Sequence, residues 1–267
     1  MLPPNLTFGP VTVRTYTFLL ALAILVSAGI AIRRWRSSQP AAMVLDVYLG
    51  GLVGGVIVAR LIHVLLNWNY FAYNLPEAIQ IAAGGLDWRG AALGALVGMM
   101  LVARWQQMTL SPPLDALTTG IPLIAFAGWW GCWSASCAYG AEVATLADYP
   151  ALLVWEGPDV FGIYAPRFNP QLAGMIGSAL LFLIGSALVW RHWLYRVRVW
   201  IILMLLGAMM FALGFMRGDY ALTLGALRLD QWLDLGMIVF AIGMTIRQLT
   251  IRTPRQRQSV PASLYLQ

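Results

Sequence analysis

The sequence predicts an all-α, polytopic membrane protein of about seven transmembrane helices, with the N-terminus outside and the C-terminus in the cytoplasm. Three observations carry this. Of the 267 residues, 60% are hydrophobic and only 10% charged, whereas a soluble domain carries about 25% charged residues. Mean hydropathy is +0.73. Apolar stretches close to the roughly 20 residues that a span needs recur along the chain, and arginines collect after every second one.

The stretches cover about 13–32, 42–66, 90–105, 115–133, 170–190, 199–217 and 231–248. Helices are expected in each, because backbone polar groups in lipid must pair within the segment. The first runs straight into Arg33, Arg34 and Arg36 without a small-residue cleavage site, so it reads as a span rather than a removable leader. Arg104 follows the third. Arg191, Arg196 and Arg198 follow the fifth, and Arg247, Arg252, Arg255 and Arg257 follow the seventh. With seven alternating spans all these sites fall on one side, which the positive-inside bias makes cytoplasmic. Residues 1–249 then form one membrane-embedded domain, and 250–267 a polar cytoplasmic tail.

All 17 basic residues are arginine and the net charge is +6. Their position between apolar stretches argues for membrane orientation, not for a nucleic-acid partner. Two outer segments are long. An arm over about 67–88 is rich in Tyr, Trp and Asn around Leu75-Pro76-Glu77, and suits the membrane interface. A loop over about 134–169 holds Glu142, Asp148, Glu156, Asp159 and Arg167. Gly50, Gly51, Gly54 and Gly55, with Gly90, Gly94 and Gly98, read as small faces for close helix packing. The tryptophans near span ends form an aromatic belt. Helix-dipole and capping roles suffice for Asp46 and Asp115.

An ionisable residue inside a span marks a functional candidate. Arg60, His63 and Asn67 share one face of the second span, toward its outer end. Tyr16, Asp87, Arg89, Arg217, Asp219 and Gln231 also fall at outer span ends, beside the segment 128–140. The polar groups thus gather at one leaflet. Guanidinium groups suit bidentate phosphate recognition, although Arg89–Asp87 and Arg217–Asp219 pairing explains the same residues. Cys132 and Cys137 are too distant on a helix for a disulfide, while a loop permits one. Packing is their expected role, and two thiols alone make a poor metal site.

In order along the chain, several segments resemble the prolipoprotein diacylglyceryl transferases. They are Phe8-Gly9-Pro10 through Tyr16, Asp46 with the glycines of the second span, Ala59-Arg60, and Asn74-Leu75-Pro76-Glu77. Gly84-Gly85-Leu86-Asp87-Trp88-Arg89-Gly90 follows, then Gly128-Trp129-Trp130-Gly131-Cys132-Trp133 through Tyr139-Gly140, Asn169-Pro170-Gln171-Leu172 and Phe215-Met216-Arg217-Gly218-Asp219. The resemblance implies transfer of a diacylglyceryl group from phosphatidylglycerol to the lipobox cysteine thiol of prolipoproteins, at the outer leaflet of a bacterial plasma membrane. Its implied partners are phosphatidylglycerol, prolipoprotein signal peptides and membrane lipids. No metal or cofactor is implied. Arg89, His63 and Tyr16 become the catalytic candidates; Arg60, Arg89, Arg217 and Gly140 bind phospholipid; and Asp87 and Asp219 support them.

The chain also departs from the family pattern. Arg89 stands at the family's basic His, and a guanidinium does not give up its proton. Trp129 stands at a phosphate-binding Arg, and Cys132 and Cys137 at an Asn and a Glu. Met210, Leu206 and Gly214 fall near an Arg, a Tyr and a Glu. Besides the transferase, a non-catalytic phospholipid- or lipoprotein-binding relative accounts for these losses. A transporter fits less well, since its polar site belongs at the midplane.

Overall fold

Every apolar stretch of the sequence is a helix. A computed structural model describes residues 3–35, 40–81, 84–108 and 111–250. The polar tail beyond Thr250, with Arg252, Arg255 and Arg257, lies outside the described residues, as does Arg36. A hairpin of β1 (Asn5–Phe8) and β2 (Val11–Arg14) leads into α1 (Thr15–Trp35). Then come α2 (Ala41–Leu66), a short α3 (Trp68–Phe71), α4 (Trp88–Trp105) and α5 (Ser111–Ser134). The hairpin β3 (Val154–Pro158) and β4 (Tyr164–Phe168) precedes α6 (Pro170–Trp190) and α7 (Arg198–Gly214). A small hairpin, β5 (Thr223–Leu224) and β6 (Leu227–Arg228), precedes α8 (Leu229–Thr250).

Among the described residues, four helices are long and apolar enough to cross a membrane: Thr15–Arg34, Ala41–Leu66, Pro170–Trp190 and Leu229–Thr250. Arg198–Gly214 is apolar but shorter. The outer surfaces of these helices are strongly apolar. Leu25, Ile57, Leu61, Leu183 and Val239 all stand more than half exposed. So large an uncovered apolar surface marks contact with a membrane or a partner.

The main packing pairs are α2 on α4, α1 on α5, α5 on α6 and α7 on α8. The glycines explain the first. A Cβ at Gly94 would lie 2.2 Å from the Gly54 carbonyl oxygen, and one at Gly98 would lie 2.0 Å from that of Gly50. The two backbones touch because no side chain keeps them apart. Leu114, Val199, Trp200, Leu203, Met237 and Ala241 form the core where α5, α7 and α8 meet.

Two acidic residues correct the dipole reading. Asp115 is buried and takes a two-pronged contact from Arg198, with Nε and Nη2 each 2.5 Å from its carboxylate oxygens. Arg198, read as a cytoplasmic orientation charge, is only 3% exposed. A buried guanidinium needs a partner, and the pair ties α5 to α7. Asp46 accepts a hydrogen bond from Gln106 Nε2 at 2.7 Å, which ties α2 to the end of α4.

Candidate active site

The helix termini that hold polar residues in the sequence converge on one cavity of about 570 Å³. Tyr16 comes from α1, and His63 from α2. Asp87 and Arg89 open α4, because the Asp87 carboxylate caps that helix by accepting from the Arg89 and Gly90 backbone N–H groups. Arg217 and Asp219 follow α7, and Asp230 begins α8. Six of the eight catalytic, phospholipid-binding and supporting candidates therefore share one cavity: Tyr16, His63, Asp87, Arg89, Arg217 and Asp219.

The other two stand behind the wall. Arg60 points into the arm. Its Nε donates to the Ala78 carbonyl at 2.8 Å, Nη2 to Glu77 at 2.6 Å, and Nη1 to Gly84 and Gly85 at 2.5 and 3.0 Å. The guanidinium also lies over the Phe71 ring. Arg60 thus fastens Glu77, Ala78, Gly84 and Gly85 to α2. Beyond Arg60, a contact between Tyr70 and Glu77, 2.7 Å apart, braces the exposed arm, and the carboxylate holds that phenol above its usual pKa. Gly140 pairs with Arg217 in an isolated β-bridge. A Cβ there would meet the Phe168 backbone, so its missing side chain serves close chain approach.

Arg89 is 5% exposed. Its Nε donates to Asp234 Oδ1 at 2.7 Å and its Nη1 to Asp87 Oδ2 at 2.8 Å. Nη2 makes no hydrogen bond among the described residues. Arg217 is engaged further, with Nε and Nη2 on Asp219 and Nη1 on Asp230. Arg228 completes this second cluster through Asp230 and the Asp219 backbone carbonyl. The pairings Arg89–Asp87 and Arg217–Asp219, weighed in the sequence, are both present.

His63 sits against Gly85 and edge-on to Phe71. Among the described residues neither of its ring nitrogens is hydrogen-bonded. The Tyr16 ring packs on Gly131. The remaining wall is mostly apolar and includes Trp129, Leu206 and Met210, and Cys132 also lines it.

Several polar partners escaped sequence reading. Asp230 and Asp234 lie four apart in α8, where only Gln231 was noticed. Two carboxylates one turn apart in an apolar helix were a usable signal. Arg228 was missed outright. The cysteines are corrected too. Cys132 and Cys137 form a disulfide with a Cα–Cα separation of 4.7 Å. The helix ends at Ser134, and positive φ at Ser136 and Ala138 curls the chain back.

A family model described as prolipoprotein diacylglyceryl transferase matches residues 3–247. Among similar proteins is the phosphatidylglycerol–prolipoprotein diacylglyceryl transferase of Streptomyces griseus. It is 29% identical over 265 residues, covering 93% of this chain and 76% of the relative. The enzyme of that name from Dehalococcoides mccartyi is 26% identical over 263 residues, covering 97% of both chains. Phosphatidylglycerol–prolipoprotein diacylglyceryl transferase 1 of Streptomyces coelicolor is 30% identical over 247 residues, covering 89% of this chain and 69% of the relative.

Proposed function

The chain belongs to the prolipoprotein diacylglyceryl transferase family, and we propose that it transfers the diacylglyceryl group of phosphatidylglycerol to the cysteine thiol of prolipoproteins. The observation that carries this is the cavity itself: a largely apolar chamber whose lining brings together Arg89, Tyr16, His63 and Arg217, with Nη2 of Arg89 not hydrogen-bonded among the described residues. The family match over nearly the whole chain and the names of the relatives favour this over a non-catalytic binding relative.

The reaction balances without a redox partner. The thiol sulfur forms a bond to the terminal carbon of the diacylglyceryl unit. The C–O bond to the phosphate breaks, and glycerol phosphate leaves with the electron pair. Charge grows on the phosphate as it departs, so a fixed guanidinium there lowers the barrier. Arg89 takes that role, held in place by Asp87 and Asp234. Arg217, held by Asp219 and Asp230, shapes the same end of the cavity. Arg60 and Gly140 act at one remove, by fixing the arm and the Arg217 backbone.

The thiol must lose a proton, and its unperturbed pKa is about 8.5. Positive charge nearby favours the thiolate. Arg89 cannot accept the proton. His63, with unengaged ring nitrogens at the cavity wall, accepts it directly or through Tyr16. In this reading all seven long helices span a bacterial plasma membrane, with the N-terminus outside. The cavity's polar end then faces the outer leaflet, within reach of membrane lipids and signal peptides.

The test incubates purified protein with phosphatidylglycerol and a synthetic lipobox peptide and follows peptide mass. The expected result is a diacylglyceryl adduct that disappears when the peptide cysteine is replaced by serine. Lipid binding with no adduct, under conditions where a complete family member works, rejects the transferase.

A further inference from the structure

The Cys132–Cys137 disulfide lies at the cavity and has no part in the transfer just described. Cys132 lines the chamber, whereas Cys137 does not. Both residues are only partly buried. The loop that the bond closes is constrained. Ser136 and Ala138, on either side of Cys137, hold φ at +54° and +50°, a left-handed conformation unfavourable for residues with a Cβ. Gln171 Nε2 holds the Cys137 carbonyl at 3.1 Å, and the Tyr139 carbonyl accepts from the Gly218 N–H at 2.8 Å. The segment is therefore pinned on its far side and cannot relax freely. Disulfides that are accessible or strained are the ones that exchange with thiols.

We propose that this disulfide is a thiol-reactive site in which Cys132 captures the acceptor peptide's cysteine as a reversible mixed disulfide. The proposal rests on the transferase reading only for the identity of the thiol. The acceptor thiolate attacks Cys132 Sγ, a new S–S bond forms, and the Cys132–Cys137 bond breaks. Cys137 leaves with the electron pair as a thiolate. Attack of Cys137 on Cys132 Sγ reverses the step and returns the peptide thiol unchanged, so no oxidant or reductant is consumed. Arg89 and Arg217 line the same chamber as Cys132. Capture holds the acceptor at the cavity until lipid arrives.

The test uses the full chain in detergent, without phosphatidylglycerol. Lipobox peptide is added, the mixture is quenched with N-ethylmaleimide, and intact mass is read without reductant. The expected product is protein plus one peptide plus one maleimide, with peptide on Cys132 and maleimide on Cys137. It is lost with the serine peptide and reversed by reductant. Because the cavity gathers the apolar peptide, the product should exceed that with equimolar glutathione by about tenfold or more. No adduct, equal reaction with glutathione, or peptide found on Cys137 overturns the proposal. Transfer without adduct refutes capture alone, and adduct without transfer refutes the transferase reading alone.

Discussion

Arg89 and Asp234 meet across 145 positions of sequence, with Nε 2.7 Å from Oδ1 and Asp234 fully buried. The second oxygen of Asp234, Oδ2, has no hydrogen-bond partner among the described residues. The pair fastens the start of α4 to α8 and fixes the plane of the guanidinium at the cavity.

Removing one partner leaves the other charge buried and uncompensated, which costs about 3–5 kcal/mol. Asp234→Ala should therefore lower stability in a detergent unfolding titration by that order. Asp234→Leu with Arg89→Met should cost clearly less than the sum of the single changes. Simple additivity would mean that the pair is not coupled.

The Asp115–Arg198 pair makes a parallel prediction at the other core. Arg198→Met should destabilise by about 3–5 kcal/mol, and adding Asp115→Leu should recover a large part of the loss. Transfer activity, measured below the melting point, should change little, because neither residue lines the cavity.

Gly98→Ala should force α2 and α4 apart, since the new Cβ would sit 2.0 Å from the Gly50 carbonyl oxygen. Overpacking of this kind costs about 1–3 kcal/mol. Gly243→Ala, which meets nothing within 4 Å, is the matched control and should melt like the wild type. Equal melting of both variants would refute the close packing.

Gly140→Ala places a Cβ 2.0 Å from the Phe168 carbonyl oxygen. It should lower thermal stability and activity together, by loosening the bridge to Arg217. Loss of activity with unchanged melting would instead put Gly140 in direct contact with lipid.

The helices were legible because composition and length decide them: long apolar stretches have one stable form in lipid. Which helices touch was not legible, because alternation across a membrane orders helices by side and not by neighbour. Asp115 and Arg198 are 83 positions apart, so their pairing had no local signal. Arg60 looked like a cavity residue by helical face, but the arm folds back and supplies four carbonyls to it. The disulfide depended on whether 132–137 is helix or loop, which the sequence left open and the left-handed turn after Ser134 decides.

The most direct measurement compares diacylglyceryl transfer to lipobox peptide by the wild type and by Arg89→Ala combined with Asp234→Asn, which removes the orphaned carboxylate along with the guanidinium. The account predicts adduct formation by the wild type and a loss of roughly a hundredfold or more in the variant, measured below its own melting point, the scale of a lost transition-state donor. Wild-type turnover in that variant would contradict the assignment of Arg89 to the departing phosphate.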